Sequence, residues 1–281
     1  MSRYFCKIFL LLIFSLLTFC NCAGSRSNVP ATVRVKGSDT MLMLNRMWAG
    51  EFMQTHPGIS IQVEGGGTAT GVQALIEGRA DICAASRPLH AEEAGALAQR
   101  YRTVGFSFLV AKDALSIFLH PQNPVKDLTL KQVKEIFTGK ITNWAEVGGL
   151  DQEILALIRP HDSGTYLYFK EHILEGAAYT ASAQIVPTTA DIAAIIARTP
   201  NAIGYGGIAY GANVTHARIN GIPATPETVR YNLYPYTRYL YLYTVNKPAG
   251  AVKEYVDWIL SPEGQRVVQS AGYLPLWETF E

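Results

Sequence analysis

Three short stretches place hydroxyls, glycine and open backbone where a strand gives way to a helix: KGSDTM at 36–41, GGGTATG at 65–71 and HDSGTY at 161–166. The first turn of a helix leaves its N–H groups unpaired and carries a partial positive charge, which suits an anion. Ser38, Thr40, Thr68, Ser163 and Thr165 add donors without adding charge. Taken singly, each turn is an ordinary helix cap, for which Ser, Thr and Asp are preferred. Three of them in one chain, one beside Arg159, point instead to an anion held by several helix ends.

Arg159 offers a planar fork of donors to a tetrahedral oxyanion, or equally a salt bridge to Asp162 or Asp151. Arg87 follows Ser86 at the end of the DICAAS strand, where open α/β sheets place their ligands. Asp81 reads as a solvated loop residue and Cys83 as inert core. Of the histidines, His161 adjoins the third turn; His56, His90, His120, His172 and His216 read as surface or capping residues.

Catalytic signatures are missing. There is no GxSxG, no HExxH, and no pairing of Cys or His at metal spacing. GGGTATG lacks the Lys-Ser/Thr of a phosphate-binding P-loop. The reading is of a binding protein with no catalytic residue, no metal and no cofactor. With 24 Lys plus Arg against 23 Asp plus Glu, the net charge of +1 gives no basic surplus for nucleic acid or a membrane surface.

The elements that must position these turns follow from periodicity. ATVRVKGS and ISIQVEGGG read as strands around the helical run LMLNRMWAGEFMQTHPG, a β-α-β unit. GVQALIEGRA and AEEAGALAQRYR read as helices, DICAAS and TVGFSFLVAKDALSIFLHP as strands. The alternation predicts an α/β fold with a mostly parallel sheet covered on both faces. Beyond Pro121 and Pro124, LTLKQVKEIFTG is a helix, ITNWAEVGG a loop, and TTADIAAIIARTPNAIGYGGIAY a helix followed by a strand. Tyr239, Tyr241 and Tyr243 alternate with Leu240 and Leu242, which suits a packed strand better than a sugar-stacking surface. At 281 residues the chain has room for two lobes.

Arg3 and Lys7 precede an apolar run, Ile8 to Phe19, of 12 residues, where a membrane span needs about 20. This reads as an export signal over 1–22, with a flexible linker at 23–32. Cys22 has the setting of a lipoprotein cysteine, although Phe19, Cys20 and Asn21 fit that pattern imperfectly; release after Ala23 is the alternative. One or two cysteines in the mature chain support no disulfide framework.

VKGSDTM, GGGTATGVQALIEGRADICAASRPL, IFTGKITNWAEVGG, RPHDSGTYLYF, NAIGYGG and YLYLYTVNKP followed by VDWILSPEGQRVV resemble, in order and spacing, the PstS family of phosphate-binding proteins. The resemblance spans essentially the whole mature chain. It implies the type II periplasmic-binding-protein fold: two doubly wound α/β lobes joined by a hinge, with the ligand cleft between them. Carried onto this sequence, lobe one is 30–113 plus 240–281 and lobe two 114–239. It further implies phosphate binding by Ser38, Asp39, Thr40, Met41, Thr68, Ser86, Arg87, Arg159, Ser163, Gly164 and Thr165. The partner it implies is an ABC permease and ATPase in the cytoplasmic membrane, served by a monomer in the periplasm or on the outer membrane face, anchored if Cys22 carries lipid. Alternatives are a receptor or sensor for another tetrahedral oxyanion, such as sulfate or arsenate, and an interaction lipoprotein that has lost its ligand.

Two positions depart from the family pattern. Ser86 stands where well-known members carry an Asp that accepts the proton of hydrogen phosphate, so Asp39 or Asp162 is expected to supply that acceptor. His161 stands where the family tends to carry an acid that orients the arginine. It is expected to leave Arg159 freer or to make the site pH-dependent.

Overall fold

In the first β-α-β unit, β1 (Ala31–Gly37) and β2 (Ile59–Glu64) pair in parallel around α1 (Leu42–Thr55). Leu44, Trp48 and Phe52 fall four residues apart, so they share one face of α1, and all three are fully buried. The computed structural model describes residues 30–277. The expected export signal, Cys22 and residues 23–29 of the expected linker lie outside the described residues; the linker ends earlier than expected, because Ala31 and Thr32 already pair in β1.

The chain continues through α2 (Thr68–Glu77), β3 (Ile82–Ala85), α3 (Ala91–Tyr101) and β4 (Phe106–Leu119). Beyond the short β5 (Asp127–Leu128) come α4 (Leu130–Phe137) and a 3-10 turn, Trp144–Val147. That turn lies where a plain loop was expected; Asn143 caps it and Trp144 is its buried anchor. Next are β6 (Leu155–Ile158), α5 (Gly164–His172), β7 (Gln184–Ile185), α6 (Thr189–Ile196) and β8 (Ala202–Gly207). The short β9 (Thr215–His216), β10 (Arg218–Ile219) and α7 (Pro226–Arg230) lead into β11 (Thr237–Thr244), α8 (Gly250–Ile259) and α9 (Pro262–Ser270).

The main sheet runs β2-β1-β3-β11-β4-β8-β6-β7, with β9 also on β4. It is mixed, not mostly parallel as the alternation of elements suggests. β11 lies antiparallel to β3 and to β4, and β4 lies antiparallel to β8 and β9. Periodicity identifies strands but carries no direction, and β11 returns from late in the chain to a central position.

β4 joins two hydrophobic clusters. Its Val110 and Ala111 pack with Leu44, Trp48, Phe52, Leu240 and Tyr255. Its Leu115, Ile117 and Leu119 pack with Phe137, Phe169 and Tyr205. The strand pairs with β11 as far as Ala114 and with β8 from Leu115 onward. One continuous strand therefore serves a first half, around β1–β3, and a second half, around β6–β8. In β11, Leu240 and Leu242 are fully buried and Tyr241 stacks on Tyr243 at 5.7 Å, as strand packing requires. Late elements close the first half: Trp48 Nε1 donates to Gly264 O at 2.8 Å and Gln265 Nε2 to Val110 O at 3.0 Å.

Candidate functional site

At the end of β1, Ser38 N–H donates to Ala84 O of β3 at 2.8 Å, and the chain turns through Asp39–Met41 into α1. No side chain caps this turn. Its carbonyls are held from behind: Tyr210 OH donates to Asp39 O at 2.9 Å and Tyr273 OH to Thr40 O at 2.5 Å. Burial pushes the Tyr210 phenol up to about 12, so it stays a donor. Met41 is fully buried in the first-half core and its N–H donates to Ser38 O at 3.0 Å, so neither its side chain nor its amide is left for a ligand.

The second turn reaches α2 through Gly67, whose φ of +94° disfavours any side chain. A Cβ there would also lie 2.7 Å from Asp162 O. Thr68 Oγ1 accepts from Ser86 N–H at 3.2 Å, and the Thr68 and Ser86 hydroxyl oxygens are 3.5 Å apart. Ala69 N–H donates to Asp162 O at 3.1 Å, so the turn touches the second half directly.

The third turn opens α5. Ser163 is its N-cap, accepting from Tyr166 N–H at 3.4 Å. At Gly164 a Cβ would sit 2.3 Å from Thr68 Oγ1 and 2.7 Å from Ser86 Oγ, so only glycine allows this approach. Thr165 Oγ1 lies 2.8 Å from Thr40 Oγ1. Ser38, Thr40, Thr68, Ser86, Ser163 and Thr165 are all buried, and Arg159 is 1% exposed. Hydroxyls from both halves thus meet away from bulk water, where each donor counts for more.

Arg159 pairs with neither Asp162 nor Asp151. Its Nη2 donates to Asp39 Oδ2 at 2.8 Å and its Nη1 to Thr189 Oγ1 at 2.9 Å. Asp39 Oδ1 accepts from Gly66 N–H at 2.8 Å, so one carboxylate ties the first turn, the second turn and the arginine together. Arg159 Nε is buried without a hydrogen-bond partner, a donor left for something else.

Three expectations are corrected. Arg87 is buried, but its fork is committed to Glu93: Nη1 to Oε2 and Nη2 to Oε1, both at 2.7 Å. Nη1 also donates to Pro88 O at 2.8 Å, and only Nε is left without a partner. Burial would raise the Glu93 carboxyl, but hydrogen bonds from Arg87 and from His90 N–H outweigh it and hold it below its usual range. His161 and Asp162 are exposed, so neither is placed to govern the arginine or to accept a buried proton. His161 lies edge-on to Tyr166 at 4.8 Å. Asp81, read as solvated, instead takes two bonds from the Arg34 side chain, at 3.0 and 2.9 Å.

The structure adds residues that no motif marks. Thr189 at the start of α6, Tyr210 and Tyr273 buttress the turns. Asp113 of β4 and Arg238 of β11 form a buried ion pair at 2.8 Å, and Arg238 Nη1 donates to Thr165 Oγ1 at 3.3 Å. The one sequence signal for Arg238 is its phase, on the inward side of β11 with Leu240.

Among the described residues no cluster of three or more His, Cys, Asp or Glu is placed to hold a metal, and no helix is long and apolar enough to cross a membrane. A family model for the PBP superfamily domain matches residues 24–263. The phosphate-binding protein PstS of Pseudomonas aeruginosa is 32% identical over 273 residues, covering 89% of this chain and 84% of that protein. This chain belongs to the PstS family. PstS of Bacillus subtilis is also 32% identical, over 257 residues, covering 90% of this chain and 84% of its own. Among solved PstS-like structures, a phosphate ABC transporter substrate-binding protein from Clostridium perfringens with bound phosphate superposes with a TM-score of 0.81. It is 32% identical and covers 88% of this chain and 100% of its own. The mixed α/β fold with its curled central sheet is the PstS-type, type II periplasmic-binding-protein fold. PstS is a family of substrate-binding proteins.

Proposed function

We propose that this PstS-family chain binds inorganic phosphate between its two halves and delivers it to an ABC importer, without catalysis. The observation that carries the reading is the meeting of Thr40 with Thr165, and of Thr68 and Ser86 with Gly164, beside Asp39, which holds a buried arginine whose Nε has no partner. The site residues are Ser38, Asp39, Thr40, Thr68, Ser86, Arg159, Ser163, Gly164 and Thr165; Met41 closes the first turn through its bond to Ser38 O, and Arg87 contributes only through Nε. Many neutral donors and one counter-balanced arginine suit a dehydrated oxyanion in a chain of net charge +1.

Asp39 is the carboxylate within this cluster, and its oxygens keep lone pairs beyond those used by Gly66 and Arg159. It is positioned to accept the proton of hydrogen phosphate, which sulfate lacks. The mature protein is a monomer in the periplasm or on the outer face of the cytoplasmic membrane, anchored if Cys22 carries lipid and free if cleavage follows Ala23, with lobes 30–113 plus 240–281 and 114–239 closing over the anion. Titration of unliganded protein with phosphate, sulfate and arsenate tests this, alongside Arg159→Ala and Thr165→Ala. Phosphate binding weakened in both variants is expected. Sulfate binding as tight as phosphate would overturn the specificity, and unchanged affinity in both variants would overturn the site.

A further inference from the structure

The buried pair Asp113–Arg238 lies at the junction of the two halves, in register across β4 and β11. Asp113 is fully buried and Arg238 is 4% exposed. Arg238 Nε donates to Asp113 Oδ2 at 2.9 Å, and the guanidinium carbon sits 5.5 Å from the Tyr168 ring centroid. The other carboxylate oxygen, Oδ1, accepts from Ile208 N–H at 3.2 Å. Burying such a pair is costly, and apolar side chains of the same size are often no less stabilising. Its use is therefore sought in what the arginine touches.

That contact is Thr165. A guanidinium only donates, whereas a hydroxyl has one proton and can accept as well. With Arg238 Nη1 donating to Thr165 Oγ1, the Thr165 proton is directed away from the arginine. Thr40 Oγ1, at 2.8 Å, is the group it faces in the first half. The same arrangement recurs at Arg159, whose Nη1 donates to Thr189 Oγ1. Without such a donor a buried threonine can turn and present its lone pairs, which repel an oxyanion. Asp113 balances the arginine, so the polarity of Thr165 is set without a second net positive charge beside the anion.

The geometry points to Arg238 as a positioning residue of the oxyanion site: held by Asp113, it fixes Thr165 as a donor to Thr40, which leaves the Thr40 proton for the bound anion. This rests on the phosphate reading above. A role confined to packing would lower stability and leave the coupling to Thr165 at zero, so the test is a double-mutant cycle on phosphate affinity.

Phosphate affinity is measured for the wild type, Thr165→Val, the pair Arg238→Met/Asp113→Asn, and the triple combination. Removing both charges avoids stranding a buried carboxylate. The pair is expected to lose about tenfold in affinity, the scale of one buried hydrogen bond, and Thr165→Val a similar factor. In the triple variant the loss should be close to that of Thr165→Val alone, because the pair acts through that hydroxyl. Arg238→Lys, which keeps a donor and the charge, should recover part of the affinity and serves as the readout if the pair variant does not fold. Losses that multiply in the triple variant, wild-type affinity in the pair variant, or an Arg238→Lys variant as weak as Thr165→Val would each overturn the inference. Absence of phosphate binding by the wild type would overturn the underlying reading instead.

Discussion

The first half meets the anion site with two helix entries that carry no side-chain cap, the Asp39–Met41 turn and α2 behind Gly67. The second half meets it with α5, already capped by Ser163, and with Arg159. The first half thus presents helix entries without side-chain caps and a carboxylate, and the second a charged fork. Their charges cancel across the junction through Asp39–Arg159 at 2.8 Å, not within either half. If the proposed lobes close over the anion, a site divided in this way is electrically complete only in the closed state, which couples ligand capture to closure.

The sharpest way to break this division is to remove the charge on one side only. Arg159→Ala leaves the half-buried Asp39 without its partner and should cost about 3 kcal/mol of phosphate binding, roughly two orders of magnitude in Kd by calorimetry. Gly164→Ala keeps every donor but puts a Cβ 2.3 Å from Thr68 Oγ1, so it should hold the halves apart. A loss of about tenfold or more in affinity is expected, of the order that overpacking costs, with a larger radius in small-angle scattering with phosphate present.

Smaller effects separate folding from binding within the second half. Ser163→Ala removes the α5 cap and should lower stability by about 1 kcal/mol, seen as a reduced Tm, with less effect on affinity than Arg159→Ala. His161→Ala changes an exposed ring and should leave phosphate affinity within about twofold, since surface changes seldom exceed about 0.5 kcal/mol. A large effect would restore His161 to the site.

The last prediction concerns acid. Burial holds the His216 imidazole below its ordinary 6.5, outweighing the opposing bond to Gly211 O. The unfolded chain then binds a proton that the folded one resists, so stability should fall as pH drops below about 6.5. His216→Gln should flatten that slope in urea melts at pH 7 and pH 5.5. The first half adds a contribution of the same sign in a more acid window: the lowered Glu93 carboxyl stabilises above its ordinary pKa and loses that contribution as pH falls through the lowered value.

Local chemistry was legible in the sequence where a residue acts through its neighbours. The three turns, the Ser163 cap and the α1 face follow from spacing alone, because helix entry and helix phase are set within a few residues. The Asp39–Arg159 bond spans 120 positions and Arg238–Asp113 spans 125, and no local pattern encodes either. That is why Asp162 and Asp151 were natural candidates for Arg159, and why Arg87 looked available until Glu93, on the next helix, claimed its fork. Strand direction was hidden for the same reason: the order that interleaves β11 between β3 and β4 is a property of the whole chain.

The placement of β11 also governs when the anion turn exists at all. A ribosome delivers β1 and its turn early, but the gap between β3 and β4 stays open until β11 has been made. Trp48 waits for Gly264, and the Thr40 carbonyl for Tyr273. A polypeptide interrupted before β11 therefore displays Ser38, Asp39 and Thr40 on an unfinished sheet, with an open edge that invites other strands. The last part of the chain thus acts as the latch of the sheet, and a product that lacks it is exposed to aggregation.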